Sequence, residues 1–249
     1  MPSDPTILAT SGGFRSSGRG VFTWRRGPLI DHALRLAGKT RPRICYLPTA
    51  SGDSPYAVSA FYGAFAGCDD ALPSHLSLFT MPNVADPAVH LLAQDVIWVG
   101  GGSVANLLAV WRVHGLDTVF REAWERGIVL AGVSAGSICW HVGGTTDSFG
   151  PDLRAVHDGL GLLPFANGVH YDSEEQRRPL LHRLVGSGEL PTAYATDDGV
   201  GLLYRGTQMV EALSETPGAT AYLVERDGSG DARETTLPVT LLPGADGSI

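Results

Sequence analysis

The residues best suited to do chemistry lie around Ser134, in a Gly-x-Ser-x-Gly sequence that runs from Gly132 to Gly136. Apolar strand formers at 128–131 precede it, and a helix is predicted to follow. A serine at a sharp strand-to-helix turn has its hydroxyl held clear of the sheet, and small neighbours let other backbone come close. The pattern predicts a nucleophile elbow with Ser134 as the nucleophile. The alternative is a tight βα turn that packs closely or binds a phosphate at the helix N-terminus.

A glycine triplet ends the apolar segment that starts at Asp95, and Ser103 then opens a predicted helix. The backbone amides of glycines at a helix N-terminus are good donors to a developing oxyanion, because no side chain blocks the approach. Gly101 and Gly102 are therefore predicted to form an oxyanion hole with the amide of Ala135. A phosphate or dinucleotide loop is the competing interpretation, but the glycine-rich fingerprints of those loops do not occur here.

A serine hydroxyl needs a base to take its proton, and the usual base is a histidine oriented by a carboxylate. Among eight histidines, His170 is the preferred candidate because it lies at the end of a predicted short strand, 166–171, before a polar turn. His141 and His157 are the nearest rivals. His141 lies seven residues after the serine on the same predicted helix, so we expect it to point away from the elbow.

The orienting carboxylate has candidates in two turns, Asp147 in one and Asp197 or Asp198 in the other. Aspartates in such turns often only bond their own backbone, which is the alternative for each of them. The order of Ser134, Asp147 and His170 is that of α/β-hydrolases. However, those enzymes place their histidine close to the C-terminus, and no histidine follows His182 here, which disfavours that fold.

The elements that must position these side chains alternate between buried-type strands and helical patterns. Strands are predicted at 6–10, 43–48, 75–79, 95–99 and 128–133, and helices at 28–37, 55–66, 103–113 and 117–125. Shorter strand-like runs follow at 193–196, 200–204, 219–224 and 234–241, and these indicate an antiparallel edge. We expect one α/β domain over 1–249 with a mostly parallel sheet, whose strand ends carry the site.

Charge and composition exclude several classes of binding partner and metal site. The formal net charge is −8 and no basic run occurs, which argues against nucleic acid and anionic membranes. The N-terminal sequence has no basic region followed by an apolar stretch, so we expect a cytoplasmic protein. The three cysteines form no Cys-x-x-Cys pair, so we expect neither a zinc site nor a disulfide framework.

Several motifs in register carry a more specific resemblance. They are Val-Gly-Gly-Gly-Ser-Val-Ala-Asn-Leu-Leu at 99–108, Gly-Val-Ser-Ala-Gly-Ser-Ile-Cys-Trp at 132–140, Thr-Thr-Asp at 145–147, His170 and Glu-Gln-Arg at 175–177. Together they resemble the peptidase E family of S51-type serine peptidases, whose relatives include aspartyl dipeptidases and cyanophycinases. The resemblance spans roughly residues 40 to 205.

The resemblance implies a flavodoxin-like three-layer α/β/α sandwich related to class I glutamine amidotransferases. It also implies a dimer that cleaves small peptides without a metal or another cofactor. By position, Ser134 matches the family nucleophile, His170 the general base and Asp147 the acid that orients it. Asp198 falls where some members have a glutamate proposed for that duty. Gly102 matches the oxyanion-hole glycine, and Ala135 supplies the second amide.

One departure concerns specificity. The aspartyl dipeptidases have an arginine directly before Glu-Gln-Arg that grips the substrate's aspartate, and this chain has Glu174 there. A glutamate would repel a carboxylate that an arginine binds, so strict N-terminal aspartate specificity is not expected. Glu174 and Arg177 are the candidate substrate-binding residues. A non-catalytic amidotransferase-like binding domain and a cyanophycinase-like hydrolase of an unusual peptide are the alternative functions.

Overall fold

The computed structural model describes residues 4–18 and 23–245. The strands of this part of the chain, β1 to β16 in order, are Thr6–Thr10, Phe14–Ser16, Trp24–Arg26, Arg43–Leu47, Leu72–His75, Val96–Val99, Val129–Val133, His141–Thr146, Arg154–Val156, Leu163–Gly168, Ala193–Thr196, Val200–Arg205, Gln208–Ser214, Ala221–Arg226, Ala232–Leu237 and Val239–Leu241. The α-helices, α1 to α7, are Pro28–Leu36, Pro55–Phe65, Pro87–Leu92, Val104–Val113, Leu116–Glu125, Ala135–Ile138 and Arg177–Gly186.

The larger sheet has eight strands in the order β16-β13-β12-β1-β7-β6-β4-β5. Within the part β1-β7-β6-β4-β5 of this order, all neighbouring strands are parallel. Strand β12 pairs antiparallel with β1 and extends the sheet. The parallel strands therefore end at one edge, where the loops that follow β1, β4, β6 and β7 meet. An α/β fold with a mostly parallel sheet is confirmed.

Both faces of this sheet are buried, because successive side chains of a strand point to opposite sides. In β6, Ile97 and Val99 belong to one hydrophobic core, whereas Val96 and Trp98 belong to the other. Helices α1 and α2 contribute to the second core, and helices α3 to α5 to the first. Strands buried on both sides are continuously apolar, which is why sequence patterning identified them.

A second sheet of six strands, in the order β15-β14-β11-β10-β8-β9, follows the elbow. It contains both parallel pairs, β8 with β10 and β10 with β11, and antiparallel ones. Helix α7 packs on it through a third core that includes Leu181, Leu184 and Val224. The prediction of a simple antiparallel edge is therefore incomplete, because the late strands divide between two sheets.

Three local predictions are wrong. The strand predicted at 75–79 lies instead at Leu72–His75. The helix after Ser134 is only four residues long, and His141 begins strand β8 instead of lying on that helix. The segment predicted as one strand at 234–241 is interrupted at Pro238, so that β15 pairs in the second sheet and β16 in the first. Proline has no amide hydrogen for a ladder and fixes φ, which explains the break.

No helix among the described residues is long and apolar enough to cross a membrane. Residues 1–3, which belong to the N-terminal segment used above for the prediction of location, lie outside the described part of the chain.

The close packing of helix α6 against strand β6 is predicted to tolerate no added methyl group. A Cβ on Gly136 would overlap the carbonyl oxygen of Val99 in β6. Gly136→Ala should therefore lower the free energy of unfolding by about 1–3 kcal/mol, measured by urea denaturation.

The matched control is Gly63→Ala in helix α2, where an added Cβ meets nothing within 4 Å. Because alanine is the better helix former, that change should stabilise by about 0.5–1 kcal/mol. Equal midpoints for Gly136→Ala and the unmodified protein would contradict the proposed packing.

Candidate active site

Ser134 occupies the sharp turn between strand β7 and helix α6, with φ 59° and ψ −116°. Its amide donates to the carbonyl of Thr10 at 3.0 Å, and its own carbonyl accepts from the amides of Ser137 and Ile138. A methyl group on Gly132 would overlap the carbonyl of Gly136, so the turn closes only with glycine there. The residues at 132–136 thus have the geometry of a strained nucleophile elbow.

Backbone amides without acceptors lie beside this turn. Among the described residues, the amides of Gly101, Gly102 and Ala135 donate to no hydrogen-bond acceptor. A methyl group on Gly101 would lie 3.8 Å from Ser134 Oγ, so this glycine runs directly against the serine side chain. Gly102 has φ 132° and its α-carbon faces the carbonyl of Ala50, which excludes any side chain. Unpaired amides beside the serine side chain can donate hydrogen bonds to an oxyanion.

His170 and Asp198 form the titratable pair of the site. His170 Nδ1 donates to Asp198 Oδ1 at 2.5 Å, which leaves Nε2 as the nitrogen able to accept a proton. His170 has a positive φ of 53°, which is uncommon for a residue other than glycine and often marks a functional position. Its amide donates to Ser11 Oγ at 3.2 Å, a contact that helps to fix the residue in this conformation.

A cavity of about 500 Å³ joins these parts. His170 and Asp198 line it together with Gly101 and with Val133, which directly precedes Ser134. Ser134 itself is half-buried, and no hydrogen bond joins its hydroxyl to His170 within the described structure. Catalytic hydrogen bonds are often long without substrate and shorten only in the complex.

Of the two candidate carboxylates, Asp198 rather than Asp147 contacts His170. Asp147 is exposed after strand β8 and lines a different cleft, together with Glu174 and Glu175. Asp197 turns away from the cavity and accepts from the amide of Thr220 at 3.0 Å. The expected preference for Asp147 is thus not supported by the geometry: strands β8 and β11 both flank β10 as parallel neighbours, but only the carboxylate of Asp198 bonds His170.

The predicted substrate-binding residues bind each other. Arg177 is buried, and its Nε donates to Glu174 Oε2 at 2.7 Å while another guanidinium nitrogen donates to the carbonyl of Thr145. Neither side chain lines the cavity that holds His170. Arg177 therefore anchors the loop before α7 to strand β8, and Glu174 neutralises it.

Comparison with known proteins identifies the family. A model described as peptidase family S51 matches residues 13–212. The chain belongs to peptidase family S51. It is 44% identical over 214 residues to an uncharacterized peptidase, YgaJ, of Bacillus subtilis (strain 168), covering 86% of this chain and 91% of that one. It is 26% identical over 155 residues to a peptidase E of Streptomyces coelicolor, covering 57% and 58% of the two chains. The resemblance to peptidase E found in the sequence is confirmed.

Solved structures show the same fold for this S51 peptidase. A peptidase from an acI-B1 Actinobacterium superposes with a TM-score of 0.68 at 15% identity, over 96% of each chain. A putative peptidase E protein from Listeria monocytogenes EGD-e gives 0.59 at 17% identity, over 84% of this chain and 98% of that one. At such low identity the likeness concerns the fold only.

Two positioning contacts of this S51 peptidase were not found from the sequence. Ser11 is buried at the end of β1, where its hydroxyl accepts from His170 and hydrogen-bonds the hydroxyl of Thr196 at 2.7 Å. Asp172 accepts from the amide of Asp198 at 2.8 Å, which fixes the backbone that carries the carboxylate. Ser11 follows a predicted strand, so the rule that located the glycine triplet could have singled it out.

Glu215 is a third residue that the sequence did not reveal. It is buried, and its carboxylate accepts from the amides of Gly13 at 2.9 Å and Leu29 at 3.1 Å. Burial raises its pKa, while these two hydrogen bonds and Arg15 oppose the rise. Glu215 thereby fastens the loop after β1, which lines the cavity, to the N-terminus of α1.

His141, the rival base, is excluded by its surroundings. It is fully buried, and its Nδ1 donates to the carbonyl of Ser137 in helix α6 at 2.9 Å. Because a carbonyl only accepts, the neutral ring carries its proton on Nδ1 and Nε2 faces the hydroxyl of Tyr204 at 3.4 Å. Burial lowers the pKa of His141 to about 4. The other rival, His157, is exposed and pairs with Glu189 at 3.4 Å.

The low pKa of His141 predicts a loss of stability in acid. Between pH 6.5 and 4 the unfolded chain protonates this histidine while the folded chain does not, so the free energy of unfolding falls as the pH falls. The full contribution is about 3 kcal/mol, at roughly 1.4 kcal/mol per unit between the two pKa values. Denaturation curves at several pH values measure it.

His141→Gln should flatten that slope, whereas substitution of an exposed histidine by the same residue, His114→Gln, should leave it unchanged. If His141→Gln does not change the slope of the unfolding free energy against pH, the acid sensitivity comes from other groups.

Proposed function

We propose that this S51 peptidase is a serine peptidase that hydrolyses dipeptides and other small peptides through an acyl-enzyme on Ser134. The observation that carries the proposal is the convergence of three parts on one cavity. The His170–Asp198 pair lines it, the elbow of Ser134 adjoins it through Val133, and Gly101 lines it beside the Ser134 side chain. This is the set of parts that acyl transfer needs.

In the proposed reaction His170 Nε2 takes the proton of Ser134 as the hydroxyl attacks the scissile carbonyl. The carbonyl oxygen becomes negative and is received by the amide of Ala135 and by that of Gly101 or Gly102, which have no other acceptor among the described residues. His170 then protonates the leaving amine. Water, deprotonated by the same nitrogen, then attacks the acyl-enzyme; the ester bond to Ser134 breaks, His170 returns the proton to Ser134 Oγ, and the acid product leaves. Asp198 stabilises the imidazole whenever it is charged.

Strict specificity for N-terminal aspartate is not part of the proposal. The residue at the position expected for a specificity arginine is Glu174, and its side chain pairs with Arg177. No lysine or arginine occurs among the described residues that line the cavity.

We further propose that the chain acts as one domain within a homodimer, which sedimentation analysis tests.

Ser134→Ala should lower kcat for peptide hydrolysis by about 10⁴-fold or more, because the nucleophile is lost. A fluorophosphonate reagent should label the unmodified protein and not this variant. Ser229→Ala, in the exposed turn at 227–231, is the matched control and should keep both activity and labelling. Labelling that survives in Ser134→Ala would refute the assignment, and absence of labelling in both proteins would favour a binding domain.

Asp198→Asn and Asp147→Asn provide a paired test of the acid. Asp198→Asn should lower kcat by roughly 10⁴-fold, since the imidazole loses the partner that holds its tautomer. Asp147→Asn should change kcat only a few-fold, because this side chain is exposed and contacts no site residue. The reverse order of effects would return the role to Asp147.

A further inference from the structure

The cavity beside His170 has aromatic walls. Phe14, Trp24, Tyr46 and Trp98 all line it. Phe14 and Trp24 stack with ring centroids 5.2 Å apart, and Trp98 meets Phe14 edge to face at 5.9 Å. Tyr46 completes the group, since its ring lies edge to face with that of Trp24 at 6.2 Å. A volume of about 500 Å³ falls within the usual range for small-ligand sites.

The aromatic wall combines rigid and accessible parts. Tyr46 and Trp98 lie on neighbouring parallel strands of the main sheet and are buried. Phe14 and Trp24 come from the hairpin of β2 and β3, where they are diagonal neighbours and half-buried. The hairpin therefore contributes an aromatic surface to the cavity that His170 and Asp198 also line. The two hairpin rings provide apolar contact area, and the buried rings of Tyr46 and Trp98 hold them at little conformational cost.

The charges around the cavity disfavour an acidic substrate side chain. Asp198 is the only carboxylate among the described lining residues, and no lining lysine or arginine offsets it. Nearby arginines are engaged elsewhere: Arg15 lies 3.7 Å from the carboxylate of Glu215, and Arg26 pairs with Asp70 at 2.7 Å. Arg25 lines a separate cleft. Burying a carboxylate here without a partner would cost free energy, whereas burying an apolar group would gain it.

We propose that this aromatic pocket selects peptides with a large apolar side chain, aromatic or branched aliphatic, next to the bond that is cleaved. The inference rests on the proposed peptidase function of Ser134. It replaces recognition by charge with recognition by apolar contact, and it assigns the contact to Phe14 and Trp24, which the buried rings of Tyr46 and Trp98 support from behind.

The test uses two dipeptide series, X-Ala and Ala-X, with Phe, Leu, Ala, Asp and Lys at X. In one of the series kcat/KM should be roughly tenfold to a hundredfold higher for Phe and Leu than for Ala, and Asp should be the poorest substrate. Binding of the same peptides to Ser134→Ala, measured by calorimetry, should follow the same order. A preference for Asp or Lys, or equal values along both series, would overturn the proposal.

Two variants change the pocket in opposite ways. Trp24→Ala removes half of the stacked pair and should lower kcat/KM for the Phe peptide by about tenfold while changing the Ala peptide less than threefold. Ala57→Phe, at a cavity-lining position of α2, fills the space instead and should exclude the Phe peptide more than the Ala peptide. The control is Tyr62→Ala, an exposed aromatic residue of the same helix outside the cavity, which should alter neither ratio.

The binding measurement separates this inference from the proposed function. If no peptide is hydrolysed but Ser134→Ala binds Phe and Leu peptides more tightly than Asp peptides, the catalytic proposal fails and the pocket assignment stands. If peptides are hydrolysed and neither pocket variant changes the Phe-to-Ala ratio, the peptidase proposal stands and the pocket assignment fails.

Discussion

The backbone of Ser134 has a conformation that an L-residue adopts only when its surroundings enforce it. The enforcement comes from the main sheet: the amide of Ser134 is bonded to Thr10, and Gly132 and Gly136 let strands β6 and β7 and helix α6 approach at backbone distance. Such a turn costs on the order of 1–3 kcal/mol, which the buried cores on both faces of the sheet offset. The conformation of Ser134 therefore depends on the order of the strands in the main sheet, which places β1 and β6 on either side of β7.

The second sheet supplies what the first lacks. His170 follows β10 and Asp198 follows β11, so the pair comes from neighbouring parallel strands of one sheet and meets the elbow of the other. Ser11, at the end of a strand of the main sheet, joins the two by accepting from His170. The hairpin of β2 and β3 contributes Phe14 and Trp24 to the same cavity. Phe14 and Trp24 thus come from elements other than those that carry Ser134, His170 and Asp198.

The fold class and the elbow could be predicted because both depend on local patterns. Strands buried on both faces are continuously apolar, and the turn at 132–136 needs small residues at fixed positions. The choice between Asp147 and Asp198 could not be made in this way, since both follow strands that flank β10 and the choice depends on which side chain turns toward His170. The role of Arg177 could not be predicted either. The sequence does not distinguish an arginine that is buried and bonds Glu174 and the carbonyl of Thr145 from one that binds substrate. Even the short helix after Ser134 was set by tertiary packing rather than by its own residues.

The hydroxyl of Ser11 has a consequence for how the molecule acquires its activity. It contacts His170, 159 residues further along the chain, and Thr196, 185 residues further along. Contacts of such long range raise the contact order, and the loop-closure entropy they cost delays them relative to local structure. A chain still emerging from the ribosome and ending before Asp198 lacks a member of the pair, so synthesis must pass that residue before the cavity can close.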